Sequence, residues 1–363
     1  MNRLILVGNG FDLAHNLKTS YCHFISDYIS NAINAFINEN IYSDPLLTIR
    51  WKYANYRHNG SYPLSTPATA ITDFKRLRNE NYFVVSFESQ FLSSTLHRVQ
   101  EMNWVDLENE YFDQLLNCKT KADYDFDEVK KLNDEFDFLR NKLEEYLFTH
   151  QAESSSMYSE NLREIFCEKI KRRDIVTVPI SDETPKRILI VSFNYTNTLK
   201  KYVEQCSKVI NTDLNYIHGE LNSQTNPIIF GFGDEYNKSY LEFEELKSKE
   251  LLKHIKSFGY FKASNYHNLI RFLDIEDYQV FIFGHSLGLS DRTMLRQIFE
   301  HNNCKSIKIF YHDRGTNGND FTDKTFDISS HFTDKGTMRK KIVPFDLSTP
   351  MPQPGNSIEN VGQ

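Results

Sequence analysis

The chain has 363 residues, 40% of them hydrophobic and 14% aromatic, which allows one large α/β domain or two smaller ones with a sizeable core. A formal net charge of -7 at pH 7 argues against a surface built to coat nucleic acid. The five cysteines (Cys22, Cys118, Cys167, Cys206 and Cys304) form no C-x-x-C pair, and no run nears the ~20 apolar residues that cross a bilayer. The expectation is a soluble, cytoplasmic protein with no membrane contact, no zinc ribbon and no other metal site.

Leu4–Val7 is a continuous apolar run that ends at Gly8-Asn9-Gly10-Phe11-Asp12. That is the pattern of a strand buried on both faces, followed by a tight turn. Helical periodicity follows and is clearest from Tyr21 to Ile37. Asp44 to Pro67, rich in Tyr, Asn, Pro and Ser, reads as an irregular excursion. Helical patterns then cover Phe87–Val99, Trp104–Leu116, Phe126–Phe148 and Asn161–Lys171. In the third, Val129, Leu132, Phe136, Leu139 and Leu143 recur at helical spacing. A mainly helical insertion, residues 44–173, is therefore expected after the first strand.

From Arg187 the signals alternate. Strands are expected at Ile188–Phe193, Leu214–Ile217, Ile228–Phe230, Gln279–Phe283 and Ile307–Tyr311. Helices are expected at Thr196–Cys206, Tyr240–Phe258, Ser264–Leu273 and Asp291–Glu300. This alternation implies an α/β fold with a mainly parallel sheet. The expected division is an α/β core of residues 1–43 and 174–345, the insertion, and a Pro-, Ser- and Gly-rich tail, 346–363, without fixed structure.

Four polar motifs fall where strands end: Gly8–Asp12, Ser192-Phe193-Asn194-Tyr195, His218-Gly219 and Gly284-His285-Ser286-Leu287-Gly288. Ligands bind beyond the carboxyl ends of strands in open α/β sheets, so the four predict one pocket. The first turn can offer backbone N–H groups to a phosphate. Leu13, however, stands where the dinucleotide fingerprint has its third glycine, and a plain strand-to-helix turn capped by Asp12 fits the same residues. An amide at Asn194 suits orienting a ribose or a water, and an imidazole at His218 suits accepting a proton near neutral pH. N-glycosidic cleavage through an oxocarbenium-like transition state suits the two together, and neither role requires a metal. A turn role for Asn194 and a structural role for His218 are the plainer alternatives.

The last motif also matches G-x-S-x-G, and Asp313, Asp320, Asp323 or Asp327 followed by His331 would complete a serine hydrolase order. Against it, Ser286 lies late in the chain and the next helix starts near Asp291 rather than at the serine. The other reading is a flexible loop whose His285 and Ser286 approach a nucleotide, with Asp291 as a helix N-cap or a site residue.

The opening residues 6–21, Leu-Val-Gly-Asn-Gly-Phe-Asp-Leu-Ala-His-Asn-Leu-Lys-Thr-Ser-Tyr, resemble the start of the AbiH family of bacterial abortive-infection proteins. Trp104–Glu108, Ser192–Tyr195, Ile217–Gly219 and Phe283–Asp291 resemble that family in the same order. At a greater distance the order is similar to sirtuin-like domains of antiphage defence. This resemblance implies a Rossmann-like fold with NAD as substrate, hydrolysed in active members to nicotinamide and ADP-ribose. It puts the catalytic pair on Asn194 and His218. The nucleotide-contacting residues become Gly8, Asn9, Gly10, Phe11, Asp12, Ser192, Gly284, His285, Ser286 and Asp291. A phage-derived trigger or a neighbouring defence protein is the implied partner, and a homo-oligomer is compatible. Asn9 replaces the Ala of the sirtuin-like pattern, Thr196 replaces its Asp, and the four zinc cysteines of deacetylating sirtuins are missing. Protein deacetylation is therefore disfavoured, and a nucleotide or ADP-ribose sensor without catalysis is the alternative.

Overall fold

The computed structural model describes residues 1–53, 63–97, 104–120, 124–151, 157–176, 181–233 and 238–357. Among these, the strands in chain order are β1 (Asn2–Val7), β2 (Ile41–Ser43), β3 (Leu47–Trp51), β4 (Phe83–Phe87), β5 (Ile188–Ser192), β6 (Thr212–Tyr216), β7 (Tyr278–Phe283) and β8 (Cys304–Phe310). The chain divides into two compact units. The first comprises Met1–Leu17, Leu147–Leu241 and His254–Gln363; the second comprises Lys18–Tyr146 and Glu242–Lys253.

The first unit holds a five-stranded sheet ordered β6-β5-β1-β7-β8, and every pairing in it is parallel. Numbered along the chain, these five strands lie in the order 3-2-1-4-5, that of a Rossmann-like, doubly wound fold. The direction of strand addition reverses between β1 and β7. The apolar run in β1 explains its central place. Leu4 and Leu6 pack on one face with Val280 and Ile282, while Ile5 and Val7 pack on the other with Phe281 and Phe283. Full burial of each such side chain stabilises by about 1.5–3 kcal/mol. Arg3 is also buried in β1. Its guanidinium lies 4.1 Å over the Phe281 ring and donates to the Phe166 carbonyl at 3.0 Å and to Gln279 Oε1 at 3.2 Å.

The second unit carries a three-stranded antiparallel sheet, β2-β3-β4, and helices that include Tyr21–Glu39 and Trp104–Asn117. Ser20 caps the first of these by accepting from His23 N–H, and Asn40 ends it in the left-handed region at φ 65°. Asp44 makes the β2–β3 turn by accepting from the N–H groups of Leu46 and Leu47, both at 2.8 Å. Val129, Leu132, Phe136, Leu139 and Leu143 are all buried, as their spacing requires.

Three expectations need correction. The irregular excursion at 44–67 contains β3, because Leu47 and Ile49 alternate inward while Thr48 and Arg50 face away. The boundary at residue 43 does not hold, because Tyr21–Glu39 belongs to the second unit with residues 242–253. The described part of the tail is structured rather than loose. Met351 N–H donates to the Tyr311 carbonyl at 2.8 Å, its side chain is buried, and immediately before the tail Phe345 packs at 5.3 Å from both Tyr311 and Phe321. Two apolar anchors outweigh a loop-like composition there.

The β1 and β7 ends meet backbone to backbone. A Cβ at Gly284 (φ +60°) would lie 2.3 Å from the Phe11 nitrogen, whereas Gly315, with the same φ, has nothing within 4 Å. Gly284→Ala should lower unfolding free energy by about 2–4 kcal/mol in urea denaturation, and Gly315→Ala by about 1–2 kcal/mol. Equal losses would show that the close approach contributes nothing beyond the backbone conformation.

Candidate functional site

All four sequence motifs lie at the carboxyl edge of the large sheet, on the consecutive strands β6, β5, β1 and β7. They resolve into two neighbouring clusters. Phe193, set in the chain between Ser192 and Asn194 of the first cluster, packs on the second, with its ring 5.1 Å from that of His218 and 4.0 Å from that of His285.

The first cluster surrounds Asp12. Gly8 and Gly10 bring the chain so close to β7 that an added Cβ would lie 2.6 Å from His285 Cα or 2.8 Å from Gly284 Cα. The N–H groups of Gly8, Gly10 and Phe11 donate to the carbonyls of Phe283, Gly284 and Gly8, at 2.8–3.0 Å. The amides expected to cradle a phosphate are thus paired within the protein. Phe11 is a core residue, packed against Phe166 and Tyr202, and Asn9 is half-buried at the start of the helix Asn9–Ala14. Ser192 pins the turn after β5: its hydroxyl donates to the Asn194 carbonyl and accepts from the Asn194 N–H. Asn194 donates its side-chain N–H to the Gly8 carbonyl at 3.1 Å, which leaves Oδ1 as the acceptor facing outward from that bond.

Asp12 is buried inside its helix and is not the N-cap, a position held by Gly8. Thr196 Oγ1 donates to Asp12 Oδ2 at 2.6 Å, while Asp12 Oδ1 has no hydrogen-bond partner among the described residues. Burial pushes the Asp12 carboxyl up to about 6, with Thr196, Thr198 and Asn194 pulling the other way. The threonine hydroxyls are used in this cluster, and the following helix begins only at Lys200, later than expected.

The second cluster is built on Asp291. His218 leaves β6, and its carbonyl accepts from Ile229 N–H at 2.7 Å. That bond belongs to an irregular segment, not to the strand expected at Ile228–Phe230. His218 Nε2 lies 3.0 Å from Asp291 Oδ1 and 3.3 Å from Tyr260 Oη. Donation from Nε2–H to the carboxylate leaves Nδ1 as the basic nitrogen. Lys256 Nζ donates to Asp291 Oδ1 and to Ser290 Oγ, each at 3.2 Å. Asp291 stands at the N-cap position of the helix Arg292–Glu300 but makes no capping bond, because its side chain serves these partners. Burial alone would raise its pKa; the Lys256 ammonium and the nearby His218 and His285 outweigh that and hold it well below the usual carboxylate range. His285 Nδ1 accepts from Leu287 N–H at 2.8 Å, and burial depresses the ring to about 3, so it stays neutral.

A cavity of about 380 Å³ opens beside this cluster, lined by Lys256, Tyr260, Tyr266, Ser290, Asp291 and Met294 among others. Asn194 and residues 8–12 are not in its lining. The structure therefore joins His218 to Asp291 and His285, and Asn194 to Gly8 and Asp12, as adjacent clusters of one sheet edge. Lys256 and Tyr260 were not singled out by the sequence and sit in no motif. Ser290 lies inside the Phe283–Asp291 segment and Thr196 was noted as a departure from the sirtuin-like pattern, but neither was expected as a site residue. Among the described residues no group of three or more His, Cys, Asp or Glu could hold a metal ion, and no helix is long and apolar enough to cross a membrane.

The serine-hydrolase alternative does not fit. Ser286 is exposed, and the residue with positive φ is Leu287 (+61°), not the serine. His331 Nε2 donates to the Leu287 carbonyl at 2.9 Å, so the imidazole the triad would need is engaged in supporting the loop.

A raised Asp12 pKa favours the protonated form in the folded state. Its stabilising contribution is full below about pH 4 and is lost as pH rises through about 6. Relative to the native chain, Asp12→Asn should gain on the order of 3 kcal/mol in unfolding free energy between pH 4 and pH 7. Parallel pH profiles in urea denaturation would contradict the burial of a carboxyl at that position.

No curated protein matches the chain. Residues 4–313 match the model of the family described as Bacteriophage abortive infection AbiH, which indicates a role in phage abortive infection, and the chain belongs to that family.

Proposed function

We propose that the carboxyl edge of the large sheet binds NAD and hydrolyses its nicotinamide–ribose bond, as the effector step of abortive infection. The observation that carries this reading is the buried His218–Asp291 pair, one strand from Asn194, on the edge that contains the reversal of strand order. The motif order, which resembles that of sirtuin-like antiphage domains, is in keeping with the same assignment.

In this mechanism a water oxygen bonds to the ribose anomeric carbon as the carbon–nitrogen bond breaks. The bonding electrons go to the pyridinium nitrogen, and neutral nicotinamide leaves. The water's proton passes to His218 Nδ1, while Asp291 accepts the hydrogen bond from Nε2–H and stabilises the imidazolium that forms. Asn194, held by Gly8, offers Oδ1 to the water or to a ribose hydroxyl. The products are nicotinamide, ADP-ribose and a proton.

One observation favours a second reading, a nucleotide sensor without turnover. The N–H groups of Gly8, Gly10 and Phe11 are paired within the protein, so phosphate binding there requires them to rearrange.

Purified protein incubated with NAD should release nicotinamide, and phage-infected cells that express it should lose NAD. Asn194→Ala and His218→Ala should each lower release by about 100-fold or more, with circular dichroism unchanged. Undiminished release in both variants would remove the mechanism. Calorimetric binding of ADP-ribose with constant NAD in infected cells would favour the sensor.

A further inference from the structure

Apart from Asp291, the cavity beside His218 has a lining that the proposed hydrolysis does not use. We propose that it binds a planar heteroaromatic ring carrying one anionic group, of the nucleoside monophosphate class, and that the occupant reaches His218 through Tyr260 and Asp291. The binding claim stands apart from the NAD reading.

The rings of Tyr260 and Tyr266 stack at 5.4 Å and 18°, and both line the cavity with Ile270 and the buried Met294. Tyr260 also stacks with His218 at 6.2 Å and 13°, so the aromatic wall continues from the cavity to the imidazole, and such a wall beside aliphatic side chains complements a flat ring. Lys256 and Asp291, paired with each other, make this part of the lining charged and polar, suited to lie against the polar edge of a heterocycle. Thr293, also in the lining, has its Oγ1 buried with no hydrogen-bond partner among the described residues. An orphaned buried hydroxyl is unfavourable, and a polar ligand atom would relieve it. Arg271 is an exposed lining residue with no ion pair or hydrogen bond among the described residues, leaving its guanidinium fork for an anionic group. The volume of about 380 Å³ suits a ligand of this size. Tyr260 and Asp291 touch both the cavity and His218 Nε2, so a bound ring that shifts either changes what holds the imidazole.

Calorimetry on the full chain with AMP and adenosine tests the binding claim. AMP should bind about tenfold or more tightly than adenosine, and Arg271→Gln should erase that difference. Met294→Trp, which fills the cavity, should weaken AMP by about tenfold or more while Met294→Leu keeps it. AMP should also shift the His218 ring resonances in NMR spectra of the native chain, and at equal concentration not in Arg271→Gln. The proposal is overturned if AMP binds no tighter than adenosine, if Met294→Trp keeps native AMP affinity, or if the His218 resonances do not respond to bound AMP. Simple competition between NAD and AMP would also overturn it, by merging the cavity with the NAD site. Because Arg271 is on the surface, its substitution keeps the test decisive even where a Met294 variant fails to fold. None of these readouts requires NAD turnover, so failure here and failure of the NAD reading are separate results.

Discussion

A buried carboxylate that must keep its charge organises this sheet edge. Asp291 has given up water, and an isolated ionised group in such a place would neutralise itself or unfold its surroundings. Lys256, His218 and His285 converge on it instead. Each partner comes from a different element: the turn after β6, the short helix Lys256–Gly259 and the loop after β7. One charge therefore fixes the relative positions of three segments that are distant in sequence. It also sets the orientation of His218, whose Nε2 is committed to the carboxylate and whose Nδ1 remains the basic atom.

The second constraint is geometric. The strand order reverses between β1 and β7, and there the chain after β1 lies directly against the chain after β7. Glycines at 8, 10 and 284 make that approach feasible, since any side chain would collide with backbone. In many doubly wound folds glycines at this place admit a ligand. Here they admit the neighbouring loop, and the amides they free are used internally. A nucleotide at this edge must therefore rely on side chains, or displace those bonds. A closed glycine turn fits both functional readings, a hydrolase held silent until triggered and a protein that only senses.

The sheet was legible because a strand buried on both faces has a signature that little else shares. Leu4–Val7 and Val280–Phe283 are apolar at every position, and their polar ends mark where the pocket side must lie. Asn194 was visible for the same reason, shortly after the apolar run Ile188–Val191, whereas His218 was marked by its place before Gly219 at the end of a short mixed strand. The partners of His218 were not. Lys256 lies in a segment read as part of one long helix, and nothing in its neighbours signals a buried ammonium. Asp291 looked like a helix cap because it stands at a helix start, and the choice between capping and ion pairing is made only by what the fold brings near. The tail was misread for a related reason: Pro, Ser and Gly describe a chain that lacks helix or strand, which is not the same as a chain that lacks contacts. The unit boundaries depend on packing between segments far apart in sequence, which local periodicity does not encode.

Family membership fixes the biological setting as phage abortive infection. The chemistry rests on whether the Asn194 cluster and the His218 cluster serve one ligand. A crystal structure of the full chain with ADP-ribose would decide it. The account predicts a ribose within hydrogen-bonding distance of both Asn194 Oδ1 and His218 Nδ1. A ligand seated elsewhere, or contacting one cluster with the other left untouched, would contradict it.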